Sequence, residues 1–215
     1  ASGATNWNVI ITSTQLNAGG NGLYTIISTA TDNAGNIETT GTGSFIWDSI
    51  APSVPVINPV SSPVYSASQI IAGTAESGST INISGGSALA SGIATGGNYS
   101  ILVSLTENSV NNLSVTATDT AGNISSPATT SIFQDKISPT GSIVIDSGNE
   151  VTNDKEVSLT ISASDSGSGV EKMRIGQNLV QVNTIDYNVS AEWEDFVTAK
   201  TFALVTDGDG EYIIY

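Results

Sequence analysis

The sequence predicts an all-β fold: tandem two-sheet β-sandwich modules in an extended array, with the terminal modules incomplete. Three observations predict it. A five-residue phrase occurs twice, as Asp32-Asn33-Ala34-Gly35-Asn36 and Asp119-Thr120-Ala121-Gly122-Asn123, with residues 32 and 119 lying 87 apart. Each copy sits between two alternating, β-branched runs, the pattern of half-buried strands. Each second run closes on an acidic stop and a proline, Asp48-Ser49-Ile50-Ala51-Pro52 and Asp135-Lys136-Ile137-Ser138-Pro139. A period of this size marks an array of small β domains.

Residues 1–50 read as the C-terminal part of a module. Leu23 to Thr31 alternates as a strand, the Asp32–Asn36 turn reverses the chain, and Ser44 to Trp47 returns. Residues 51–137 read as one complete module. Its strands are predicted at Val54–Asn58, Gln69–Thr74, Thr80–Ser84, Leu89–Thr95, Tyr99–Leu105, Leu113–Thr118 and Thr130–Gln134. Short strands with Gly-rich turns about every ten residues are the signature of a two-sheet sandwich.

Residues 138–215 read as a third module lacking its last strand. Strands are expected at Ser142–Asp146, Val157–Ala163, Lys172–Ile175, Lys200–Val205 and Tyr212–Tyr215, with a tight loop at Asp165-Ser166-Gly167-Ser168-Gly169. Gly208-Asp209-Gly210-Glu211-Tyr212 echoes Gly20-Asn21-Gly22-Leu23-Tyr24, and Trp193 echoes Trp7. An incomplete sandwich has an open edge, and open edges pair with other strands. The expected partners are therefore neighbouring copies of the same protein or further repeats of the same chain. No segment shows helical periodicity, so no helix is predicted.

Composition removes several function classes. The net charge is −15 and only five residues are basic, so the footprint that nucleic-acid binding needs is missing. An anionic membrane surface repels such a chain, and no run of about 18 apolar residues offers direct membrane insertion. There is no histidine and no cysteine. Ser-His and Cys-His relays, thiolate metal sites and disulfides are thereby excluded. The acidic residues fall mostly in turns and linkers, the usual place of solvated carboxylates, so the chain reads as no enzyme.

Calcium is the candidate cofactor. Asp32, Asn36 and Asp48 recur as Asp119, Asn123 and Asp135, and each set is expected near a module junction. Carboxylate, amide and carbonyl oxygens are the ligands calcium takes. The plainer reading of the same residues is a turn that caps its own backbone, with Gly35 and Gly122 free to take positive φ. Asp207 and Asp209 form a second candidate, which also fits a simple hairpin turn. Trp7, Trp47 and Trp193 are candidates for stacking on sugars or for packing in a core. Asn82, Asn98, Asn112, Asn123 and Asn188 each begin an Asn-x-Ser sequon.

Residues 51–135 resemble the immunoglobulin-like repeats of large bacterial surface proteins and adhesins. The resemblance rests on Ala51-Pro52, on Ile71-Ala72-Gly73-Thr74-Ala75-Glu76-Ser77-Gly78-Ser79-Thr80-Ile81, on the Tyr99 strand, and on Val115-Thr116-Ala117-Thr118-Asp119-Thr120-Ala121-Gly122-Asn123. Residues 138–215 resemble a related surface repeat through Ser168-Gly169-Val170, Met173, Trp193 and Gly208-Asp209-Gly210. The resemblance implies immunoglobulin-like modules at an extracellular bacterial surface. It implies a filament subunit or adhesin stalk, stiffened by calcium and completed by strand exchange with a neighbour, with a surface glycan or protein receptor as a further partner. The alternative is a glycan-binding or accessory region of a secreted carbohydrate-active enzyme.

Overall fold

The structure is a computed structural model that describes residues 10–39, 41–181, 184–186, 192–204 and 211–214. The chain divides into two compact units. One holds residues 1–62, 67–106 and 110–132, and the other holds 63–66, 107–109 and 133–215.

The first unit opens with an unpredicted helix, α1 (Ser13–Gly19). Its cause is local. The Thr12 backbone N–H donates to Gln15 Oε1 at 2.9 Å, and the Gln15 N–H donates back to Thr12 Oγ1 at 3.4 Å. This reciprocal Thr-x-x-Gln box satisfies amides that a helix start leaves open. Gly20, at φ +79°, ends the helix. The hairpin β1 (Gly22–Ser28) and β2 (Gly41–Trp47) follows, with Leu23 opposite Ile46 and Tyr24 opposite Phe45. The Tyr24 and Phe45 rings stack at 5.6 Å.

Next come β3 (Val56–Ile57), β4 (Ser68–Thr74), β5 (Thr80–Ser84), β6 (Ala90–Ile93), β7 (Asn98–Ser104), β8 (Ser109–Thr118) and β9 (Ala128–Gln134). They form two sheets, in the orders β3-β4-β7 and β6-β5-β8-β9. Period-2 alternation supplies the core. Every second residue of β5, β7 and β8 is buried: Ile81 and Ile83; Tyr99, Ile101 and Val103; Leu113, Val115 and Ala117. Gly73 must stay bare. A Cβ there would lie 1.8 Å from the Val56 carbonyl oxygen, which accepts a 2.8 Å hydrogen bond from the Tyr99 hydroxyl.

In the second unit, β10 (Thr140–Ile145) leads through a 3-10 turn (Asp146–Gly148) to β11 (Glu156–Ser164). The remaining strands are β12 (Lys172–Met173), β13 (Gln177–Gln181), β14 (Thr184–Asp186), β15 (Glu194–Asp195), β16 (Ala199–Ala203) and β17 (Glu211–Ile214). The sheets are β10-β11-β16, β12-β15 and β14-β13-β17. Val157, Leu159, Met173 and Ile175 form the buried core, with Ile143, Ile145 and Phe202 packed against it. Asp146, expected to end a strand, instead takes φ +43° and begins the turn. The module is thus nearly all-β as predicted, with three short strands, β13 to β15, that the alternation does not announce.

Candidate junction sites

The repeated phrase builds the same turn twice. Asp32 Oδ1 accepts from the Ala34 and Asn36 backbone N–H groups at 2.9 and 2.8 Å, and Oδ2 accepts from Asn36 Nδ2 at 2.7 Å. Asp119 repeats this with Ala121, Asn123 and Asn123 Nδ2 at 2.8, 2.9 and 2.8 Å. Gly35 and Gly122 supply the left-handed residue at φ +87° and +94°. The Asn36 side-chain amide, then the backbone donors, hold the Asp32 carboxyl below its usual range, and the Asn123 amide does the same for Asp119.

The acidic stops build a second repeated device. Asp48 Oδ1 accepts from the Ile50 N–H at 2.9 Å, and Asp135 Oδ1 accepts from the Ile137 N–H at 3.0 Å. Asn21 Oδ1 accepts from the Ser49 N–H at 3.3 Å and from its hydroxyl at 2.8 Å, while Asn21 Nδ2 donates to Asp48 Oδ1 at 3.2 Å. Asn108 Oδ1 accepts from the Lys136 N–H at 2.8 Å. The Lys136 ammonium pairs with Glu107 at 3.2 Å.

The sequence groups each turn with the acidic stop that follows it. The structure pairs them differently. Strand β9 separates Asp119–Asn123 from Asp135, and its seven residues at about 3.3 Å each span roughly 23 Å. Calcium–oxygen bonds are only about 2.4 Å long, so one ion cannot bridge the two ends. The same holds across β2 for Asp32–Asn36 and Asp48. Instead, Asn123 Nδ2 donates to the Asp48 carbonyl oxygen at 3.3 Å. The Asp119–Asn123 turn thus meets the backbone of the earlier acidic stop, 75 residues back in the sequence.

Asp135 finds its counterpart in the loop after β11. Its Oδ2 accepts from the Ser168 N–H at 2.6 Å, and a Cβ on Gly167 would lie 2.3 Å from that oxygen. The Ser168 hydroxyl, then the Ile137 and Ser168 amides, lower the Asp135 pKa, and the residue is buried at 7 % exposure. Asp165, in the same loop, accepts at Oδ1 from the Gly167 and Gly169 N–H groups at 2.9 and 3.0 Å. Its Oδ2 is buried without a hydrogen-bond partner. Among the described residues no three Asp or Glu side chains gather as a ready metal cluster. An ion at either junction therefore needs amide and carbonyl oxygens as well.

Asn21, Asn108 and Asp165 are the residues that the sequence reading leaves out. The signal for the first two was present: residues 21 and 108 share the 87-residue offset of the phrase. Asp165 stands inside the predicted tight loop. Of the aromatic candidates, Trp193 is 66 % exposed with the Arg174 guanidinium 5.3 Å from its ring centroid, and Trp47 is half-buried in β2. Asn82, Asn98 and Asn112 are exposed. The Asn123 amide is engaged by Asp119 and Asp48. Trp7, Asn188, Asp207 and Asp209 lie outside the described residues.

The family model described as Bacterial Ig domain matches residues 51–135. No curated protein matches the chain. Among solved structures, a tetra-tandem repeat in the extending region of a large adhesion protein is 15 % identical, with a TM-score of 0.38. That match covers 91 % of this chain, which spans 55 % of the adhesion-protein chain. A structure from a 1.5-MDa bacterial ice-binding adhesin is 18 % identical over 97 % of this chain and 76 % of its own, at a TM-score of 0.39. The FN1–FN3 domains of chicken CNTN1 are 13 % identical over 86 % of this chain and 68 % of theirs, at 0.34. The two sheets β3-β4-β7 and β6-β5-β8-β9 and the family match fall on the same stretch: residues 51–135 are a bacterial immunoglobulin-like domain.

Proposed function

We propose that this chain is part of an extracellular stalk or filament of a bacterial surface protein, built to hold something at a distance and not to catalyse. The observation that carries the reading is the repeated junction. Each acidic stop is bonded by a later loop of the chain: Asn123 donates to the Asp48 backbone carbonyl, and the Ser168 N–H donates to the Asp135 carboxylate. Such bonds suit a chain that transmits position along an array. The charge of −15 keeps copies apart in solution and disfavours collapse of modules onto one another.

Small-angle scattering tests the extended array. A single compact body of this length has a radius of gyration of about 17 Å. A stalk segment gives a clearly larger radius and an elongated distance distribution. A value near the compact one sinks the reading. Antibody labelling of intact cells tests its location, and labelling that requires lysis contradicts it.

Calcium stiffening is a second proposal, supported by one observation: the buried, unpartnered Asp165 Oδ2 in the loop that Asp135 grips. Asp135 and Asp165 would hold the ion there, and Asp48, Asp119 and Asn123 at the earlier junction. Bound calcium would neutralise carboxylates and fix the linker. An ion that binds only the folded state raises its apparent stability. Melting in millimolar calcium should therefore exceed melting in chelator, and Asp165→Asn should remove much of the difference. Identical melts end the proposal and leave the stalk reading intact.

A further inference from the structure

The geometry points to Asn21 and Asn108 as positioning residues that set the direction in which the chain leaves each module. The two stand at the same place in the repeat, 87 residues apart, just ahead of strands β1 and β8. Each turns its side-chain oxygen onto the first backbone N–H after the acidic stop, Ser49 in one case and Lys136 in the other. The acidic stop itself takes the next N–H, Ile50 or Ile137. The first two N–H groups of the departing linker are thereby fixed to the module being left. Pro52 and Pro139 then follow, each with a fixed φ and no N–H.

This accounting matters because a linker backbone otherwise bonds only to water and samples many directions. Asparagine suits the task, since one amide both accepts and donates. Asn21 uses both ends, gripping Ser49 with Oδ1 and Asp48 with Nδ2. Asn108 is additionally held by its own backbone, whose N–H donates to Gln134 Oε1 at 2.6 Å. Gln134 is fully buried and its Nε2 donates to the Tyr65 carbonyl at 2.9 Å. Asn108 also sits at φ +52°, a conformation asparagine tolerates better than most residues. The clamp is thus anchored in the module's interior. It stands whatever the array is for, and it requires no bound ion.

The test uses the full chain, which contains no cysteine and so accepts a clean pair of spin labels at Ser100→Cys and Thr160→Cys, both exposed strand positions. The distance distribution between the labels should broaden in Asn108→Ala and narrow again in Asn108→Asp, which keeps the accepting oxygen. Amide exchange at Lys136 should speed up in Asn108→Ala and Asn108→Gly, while exchange at Ser49 stays unchanged. The glycine variant separates loss of the amide from strain at positive φ. An unaltered distribution with unaltered Lys136 exchange overturns the inference, as does failure of Asn108→Asp to restore either. If Asn108→Ala does not fold, the same readouts in Asn108→Gly decide the matter.

Discussion

Asp119 spends its whole carboxylate within five residues, and that makes its behaviour in acid predictable. Its folded pKa lies below the ordinary value because the Asn123 amide and the turn's own N–H groups favour the charged form. Asp32 and Asp135 are shifted the same way. A lowered folded pKa means stability that is fully present above the ordinary aspartate value of about 3.9 and is lost as pH falls through the depressed one. Melting of Asp119→Asn beside the parent should show a gap at pH 7 that closes in strong acid. A gap that stays constant with pH contradicts this account. The turn was readable from sequence because every partner lies within the phrase. The Asn123 bond to the Asp48 carbonyl was not, since those residues are 75 apart and nothing local announces it.

Strands were legible where one face is buried and the other wet. Thr80–Ser84 alternates cleanly, and its predicted and observed bounds agree. Strands β13 and β14 were not legible. Gln177–Gln181 reads Gln-Asn-Leu-Val-Gln, with its two apolar residues adjacent, so no period of two appears. Strand β15 is Glu194–Asp195, a composition strands usually avoid; it pairs with Lys172–Met173, and the Lys172 ammonium bonds Asp195 directly across the ladder. Helix α1 spans only seven residues, too few for periodicity to show, and its Thr12-x-x-Gln15 box was the one available sign. Burial sorts the isoleucines by consequence. Ile83 is fully buried and Ile93 is 65 % exposed. Ile83→Ala should cost about 2–5 kcal/mol, whereas Ile93→Ala should stay within about 0.5 kcal/mol. Denaturant titration checks both, and equal losses would contradict the exposure of Ile93 on β6.

At the scale of the whole chain, alternation showed the class of the fold, antiparallel sheets with one short helix among the described residues. What it could not show was that Asp48 meets Asn123 and Asp135 meets Ser168, because a strand of seven residues carries its two ends far apart. Strand β9 has the Asn123 amide ahead of one end and Asp135, with the Asn108 bond to Lys136, just past the other. The loop after β11 supplies a different donor, the Ser168 N–H, to the Asp135 carboxylate. Two acidic stops at the same place in the repeat therefore take different partners, one through its backbone carbonyl and one through its carboxylate, so the stop does not dictate which sequence must follow it.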